Sequence, residues 1–256
     1  MTADIPKSVD PRPWLDRVEH ATADDVRPAI GAEDPAEAEL AVRLSPAAGD
    51  HLEAMAQRAQ AITRRHFGRT IQLYVPLYLS NYCSSGCVYC GFAADVEVPR
   101  CRLDLDEVEE ELAVLKDMGF EEVLLLTGER AAPEDFDYLR RCVSMAADHF
   151  HKVTVEVFPM EQEEYHELAE LGCTGVTLYQ ETYDPERYDA LHRWGPKKDY
   201  AARLEAPARA LGGGMRSMGV GALLGLSDPA YDMIALYRHV VQLRREFWKS
   251  GLAVSF

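Results

Sequence analysis

No run of eighteen or more apolar residues occurs in the 256-residue sequence, so no segment reads as a transmembrane helix. The opening stretch MTADIPKSVDPRPW lacks both the basic start and the apolar core of a secretory signal. Positive charge is scarce, with 27 Lys and Arg against 43 Asp and Glu, a formal charge of -16. Nucleic acids and anionic membranes reward clustered cations, so neither is expected as a partner. Cysteine is too sparse, at six, for a disulfide-stapled secreted scaffold. A cytoplasmic protein is expected, with reduced thiols available to metals.

What is present is an alternation of patterns. Residues 1–44, rich in Pro, Ala, Asp and Glu, read as an arm with short helices and no strand. Ser45 and Pro46 suit a helix N-cap and first turn, predicting an amphipathic helix to Phe67. Its apolar face would carry Leu52, Met55, Ala59, Ile62 and His66, the last a packed or rim histidine, and Gly68 would stop it. An arm or cap over residues 1–69 and a second domain over 70–256 are therefore expected.

From residue 70 strand-like runs alternate with helical ones. TIQLYVPLYLS, EEVLLLTGE, KVTVEVFP, GVTLYQET, GMRSMGVGALLGL and LAVSF read as strands. Helices are expected from Asp104, over PEDFDYLRRCVSMAADHF and EQEEYHELAELG, near 199–212, and from Pro229 to Trp248. Asp104 and Glu107 are spaced as a capping box ahead of an apolar face of Leu105, Val108, Leu112 and Leu115, and Gly119 closes that helix. Each crossover helix returns the chain to start a strand in the same direction, so the sheet is parallel and the fold α/β. Six such units make most of a (βα) barrel, while eight take about 250 residues. The sequence stops inside the sixth strand, at Phe256, and a longer natural protein is expected.

The segment SNYCSSGCVYCGF sets Cys83, Cys87 and Cys90 in a C-x3-C-x2-C pattern directly after the first strand. Loops that follow barrel strands build active sites, which places these thiols at the chemistry. Three thiolates on a cuboidal iron–sulfur cluster leave one iron open to a small molecule. Structural zinc wants four ligands, and only Cys101 could supply the fourth from nearby sequence. Cys142 and Cys173 fall in helix or helix-end patterns and read as small buried thiols. GVGALLGL does not fit the G-x-G-x-x-G dinucleotide fingerprint.

With Tyr89 before its last cysteine, this loop resembles that of the radical S-adenosylmethionine (SAM) enzymes. LLLTGE, YQETY, DYAARLEAPARA and GVGALLGLSD extend the resemblance to the tyrosine lyase branch, 2-iminoacetate synthase of thiamine thiazole biosynthesis, with the tyrosine-cleaving hydrogenase maturase close by. It spans roughly residues 70–256. The resemblance implies a [4Fe-4S] cluster on Cys83, Cys87 and Cys90, with SAM chelated to the open iron. It further implies a site at Thr127, Gly128 and Glu129 for the SAM amino group, Gln180 and Glu181 at the ribose or amino group, and Arg203 at the carboxylate. Leu223 and Leu224 would wall the adenine, and Tyr89 would lie against the cofactor. Glu156 and Glu181 are carboxylates in apolar strands, which calls for partners, either the ligand or Arg203. Arg193, Lys197 and Lys198 read as a solvated basic loop, with contact to substrate or partner the lesser reading.

The reaction so implied is radical cleavage of the Cα–Cβ bond of L-tyrosine to 2-iminoacetate (dehydroglycine) and p-cresol. A thiazole synthase partner and an electron donor such as flavodoxin or ferredoxin go with it. The maturase and a tryptophan lyase are rivals within the class. A non-catalytic metal-binding scaffold, or an inactive fragment, is the rival from outside it.

Overall fold

The computed structural model describes residues 4–256 apart from Asp34 and Pro133 and the side chain of Glu134. Six parallel strands form one sheet in sequential order: β1 (Val75–Tyr78), β2 (Glu122–Leu126), β3 (Lys152–Glu156), β4 (Cys173–Thr177), β5 (Ser217–Gly221) and β6 (Gly251–Ser255). The crossover helices are α5 (Leu105–Asp117), α6 (Glu134–His149), α7 (Gln162–Glu170), α9 (Tyr200–Gly212) and α10 (Pro229–Glu246), with a short α8 (Pro185–Leu191) inserted before α9. Before the sheet come α1 (Arg12–His20), α2 (Ala23–Gly31), α3 (Glu37–Arg43) and α4 (Leu52–Phe67).

Strand periodicity sorts side chains between two faces. In β3, Val153 and Val155 are buried in the main core, while Lys152, Thr154 and Glu156 line a cavity of about 530 Å³ on the concave side. Glu156 therefore sits in an apolar strand without entering the helix-facing core. The register sets Leu77 beside Leu125, Leu126 beside Glu156, and Thr177 beside Gly219. The C-terminal ends of the strands consequently lie level, and the loops that follow them converge.

The capping box forms as expected: the Asp104 carboxylate accepts from the Asp106 and Glu107 amides, and Glu107 accepts from the Asp104 amide at 2.8 Å. Val108 and Leu112 are fully buried on that helix, and Gly119 leaves it with φ +89°. Several expectations need correction. Ser45 does not cap a long helix; its hydroxyl donates to the Val42 carbonyl at 2.7 Å, and a 3-10 turn over Pro46–His51 precedes α4. No residue of α4 is buried, and of its expected stripe Met55 packs against the small core of Val26, Ala29, Val42 and Ala48 while Leu52 and Ile62 stay exposed. TIQLYVPLYLS yields only four strand residues, because pairing to β2 begins at Val75. Cys173 opens β4 and is not a helix-end residue, although it is buried as expected. Pro133, expected to open α6, lies outside the described residues. The helices α1 and α3 pack on α10, where Val18, Ala41 and Ile234 form a small core of their own.

Candidate active site

The cysteine loop leaves β1 and is fastened at its base. The Leu103 amide donates to the Leu79 carbonyl at 3.0 Å, and Asn81 exchanges hydrogen bonds with Cys101. Arg100 reaches across the loop, donating to the carbonyls of Asn81 (2.6 Å), Phe92 (3.0 Å), Ala93 (2.7 Å) and Val96 (3.1 Å). One guanidinium thus satisfies backbone acceptors that no secondary structure serves. Within the loop the Phe92 amide points at the Cys90 sulfur, 3.4 Å away, as amides do toward metal-bound thiolates.

A second segment, 191–197, braces the first. The Val88 amide donates to the Leu191 carbonyl, Gly86 to Trp194, and Arg193 back to Gly86, at 3.0 to 3.1 Å. The Lys197 amide donates to the Ser85 hydroxyl at 3.2 Å. Gly195, at φ +92°, lets the two segments touch, since a Cβ there would strike the Ser84 carbonyl oxygen and Ser85. Fully buried His192 underlies the brace: its Nε2 lies 2.7 Å from the Tyr89 hydroxyl and its Nδ1 2.8 Å from the Tyr188 carbonyl. Burial lowers its pKa to about 4, so the ring is neutral and bridges these two partners. Tyr89 is thereby turned to His192 and is not among the residues lining the cavity described next.

Cys83, Cys87 and Cys90 border a cavity of about 220 Å³ shared with Thr127, Gly128 and Glu129 from the end of β2. Glycine is required at 128: a Cβ would collide with the Tyr82 carbonyl oxygen and lie 2.8 Å from that of Cys83. Glu129, expected as a ligand group, has a side chain only 7% exposed. Its Oε1 accepts from Arg203 at 2.6 Å, while its Oε2 is buried with no partner among the described residues. Arg203, on α9 and equally buried, also donates from Nε to the Tyr179 carbonyl at 2.7 Å. Burial opposes its charge, yet Glu129, Tyr188 and Glu181 outweigh that and raise its pKa above the ordinary value.

Glu156 and Glu181 reach the same cavity. Burial, then repulsion from Glu181, raises the Glu156 pKa. Glu181 lies 3.9 Å from Arg203, but its close partner is Lys197, at 2.7 Å. That lysine is 13% exposed, so the basic loop expected to be solvated delivers one of its cations inward; Arg193 and Lys198 remain largely in solvent, paired with Asp95 and Asp189. Gln180 is buried with its amide toward the Tyr200 carbonyl, and Leu223 is 39% exposed; neither lines the cavity. Leu224, expected to wall the adenine with it, is 54% exposed and also lies off the lining. Leu223 stays close through its backbone, donating to the Glu181 carbonyl at 2.7 Å. Arg100 and His192 were missed as site residues, and for Lys197 inward contact was only the lesser reading, since each stands in a connection between elements where a polar side chain has no periodicity to mark its direction.

The donors suit a sulfur-ligated cluster beside a zwitterion. Burial raises the Cys87 thiol to about 11, a cost that coordination to a cationic metal removes by displacing the proton. The unpartnered Glu129 oxygen asks for a donor such as an ammonium. Among the described residues no three His, Cys, Asp or Glu side chains gather round a point for a single metal ion, the arrangement tetrahedral zinc would need.

Residues 77–238 match the family model of the radical SAM superfamily. The chain belongs to that superfamily. Its cofactors are a [4Fe-4S] cluster and SAM. The chain is 42% identical over 241 residues to 2-iminoacetate synthase of Escherichia coli K12, covering 94% of this chain and 64% of that enzyme. The fold is similar to that of HydG, a maturase of the [FeFe]-hydrogenase, with a TM-score of 0.87 at 29% identity over 95% of this chain and 57% of the maturase. Methylornithine synthase shares the fold at a TM-score of 0.69 and 23% identity, over 96% of this chain and 66% of that protein. The chain thus spans somewhat under two thirds of the length of the synthase it resembles.

Proposed function

We propose that this chain carries the radical-generating part of a lyase that cleaves the Cα–Cβ bond of L-tyrosine to 2-iminoacetate and p-cresol, feeding thiamine thiazole synthesis in the cytoplasm. The observation that carries this reading is 42% identity to 2-iminoacetate synthase across 94% of the chain, together with three thiols and a half-satisfied buried carboxylate around one cavity. Among the described residues no helix is long and apolar enough to cross a membrane.

Cys83, Cys87 and Cys90 would hold three irons of the cluster, and on reduction the cluster and SAM supply a 5'-deoxyadenosyl radical that takes hydrogen from the substrate amine. Glu129 Oε2 would accept from the SAM ammonium, and Arg203, held in place by Glu129 and the Tyr179 carbonyl, would pair with its carboxylate. Glu181 would face the same ligand, while Thr127 and Gly128 would let backbone approach it. Tyr89 would fix the loop through His192, and Gln180 and Leu223 would act behind the cavity wall. Tyrosine would give up one hydrogen atom to deoxyadenosine and break at Cα–Cβ, the imine and carboxylate leaving as one product, and the remaining ring–methylene radical would take one electron from the donor and one proton to become p-cresol. An electron donor of the flavodoxin or ferredoxin type and a thiazole synthase would complete the system.

Anaerobic reconstitution with iron and sulfide should give about four irons with labile sulfide per chain. Reductant, SAM and tyrosine should then release deoxyadenosine and p-cresol together. Deoxyadenosine formed at the same rate without tyrosine would overturn the substrate, and zinc without sulfide would overturn the enzyme in favour of a scaffold. The maturase reading draws on the TM-score of 0.87; it predicts the same p-cresol, with carbon monoxide and cyanide beyond it.

A further inference from the structure

We propose that Lys197 is a positioning residue of the SAM pocket, which sets the Glu181 carboxylate for the cofactor and ties its pose to the cysteine loop. The inference rests on the reading of the cavity as the SAM site. Glu181 is the only non-glycine residue with positive φ, 72°, among those described. Such a conformation is strained for a residue with a side chain and persists only where neighbours over-determine it.

The neighbours are identifiable. The Glu181 carbonyl is fixed by the Leu223 amide, and on the side chain Lys197 Nζ at 2.7 Å and Arg203 at 3.9 Å approach the same oxygen, Oε1. The lysine itself has little freedom. Its backbone amide is bound to fully buried Ser85, between Cys83 and Cys87, and its ammonium lies 5.9 Å from the Tyr89 ring. Both ends of Lys197 are therefore committed, one to the cysteine loop and one to the carboxylate after β4.

Charge supplies a second argument and a means of discrimination. Around the cavity stand Glu129, Glu156 and Glu181 against Arg203 and Lys197. SAM carries a sulfonium and an ammonium against one carboxylate, so a net-negative pocket suits it. A lysine acting only through its charge would repel this cation, and its removal would tighten binding. A lysine that positions Glu181 gives the opposite sign.

The test uses anaerobically reconstituted holoenzyme, with SAM affinity measured by equilibrium dialysis and the SAM-induced change in the electron paramagnetic resonance of the reduced cluster. Lys197→Met should retain wild-type iron and weaken SAM by about tenfold or more. Lys197→Arg should recover most of that loss. Glu181→Gln should weaken SAM comparably, and the double variant should be no worse than either single one, because both remove one device. Unchanged or tighter binding by Lys197→Met, or additive losses in the double variant, overturns the proposal. Loss of iron from Lys197→Met also overturns it, making the lysine a brace for the loop alone. Wild-type holoenzyme that does not bind SAM sinks the reading of the cavity itself, and the inference with it.

Discussion

Glu129 and Arg203 meet at 2.6 Å with 7% and 6% of their side chains exposed, so neither charge can be removed without stranding the other. Arg203→Leu should lower unfolding free energy by about 3–5 kcal/mol in urea titrations, and adding Glu129→Leu should restore much of it. SAM binding should stay lost in both. Replacing Cys83, Cys87 or Cys90 by Ala should abolish stable iron loading, whereas Cys101→Ala should leave it intact; equal losses at Cys101 would make it the fourth ligand. His239 gives a pH signature. Burial lowers its pKa from 6.5 to about 4, while its Nδ1 accepts from the Tyr183 hydroxyl at 2.9 Å. The unfolded chain binds the extra proton between those values, so this contribution is complete above about pH 6.5 and is lost as pH falls toward 4. His239→Asn should flatten the acid limb of stability, by up to roughly 3 kcal/mol; an unchanged slope would assign it elsewhere. The motifs pointed to Glu129 and Arg203, which the structure brings together beside the cysteines; for Lys197 the solvated reading led, since a Gly-Pro-Lys-Lys turn announces solvent and only the brace turns one ammonium inward.

At the scale of elements, the cysteine loop stands on contacts that no strand or helix provides. Arg100 alone serves four of its carbonyls, and Arg100→Ala should reduce iron content after gel filtration while far-ultraviolet circular dichroism stays unchanged. Gly195→Ala should do the same from the other side, through collision with Ser84 and Ser85. Normal iron retention in both would mean that the loop holds its shape unaided. The elements themselves were largely readable: the box at Asp104 and Glu107 and the period of α5 are local signals. What misled was any pattern whose outcome depended on a distant partner. Residues 70–74 alternate like a strand, yet Ile71 and Leu73 are 81% and 70% exposed because β2 begins opposite Val75. The apolar stripe of α4 likewise reads as a core face, yet Met55 meets only a small cluster while Leu52 and Ile62 stay exposed.

For the whole molecule, alternating strands and helices were enough to give parallel order, and the register then gathers Cys83, Glu129, Glu156, Glu181 and Arg203 from four successive units at one end of the sheet. Cluster ligation binds the folded arrangement and not the open chain, so it adds directly to stability. Anaerobic melting should therefore show a higher Tm for iron-loaded than for iron-free protein, with the difference abolished in Cys87→Ala. The brace carries a further implication for how the protein is made. Residues 84–89 leave the ribosome about a hundred positions before 191–197, which at 5–20 residues per second is a delay on the order of ten seconds. Through that interval the thiols lack this brace, so stable metal loading is expected only once residues 191–197 have closed upon the loop.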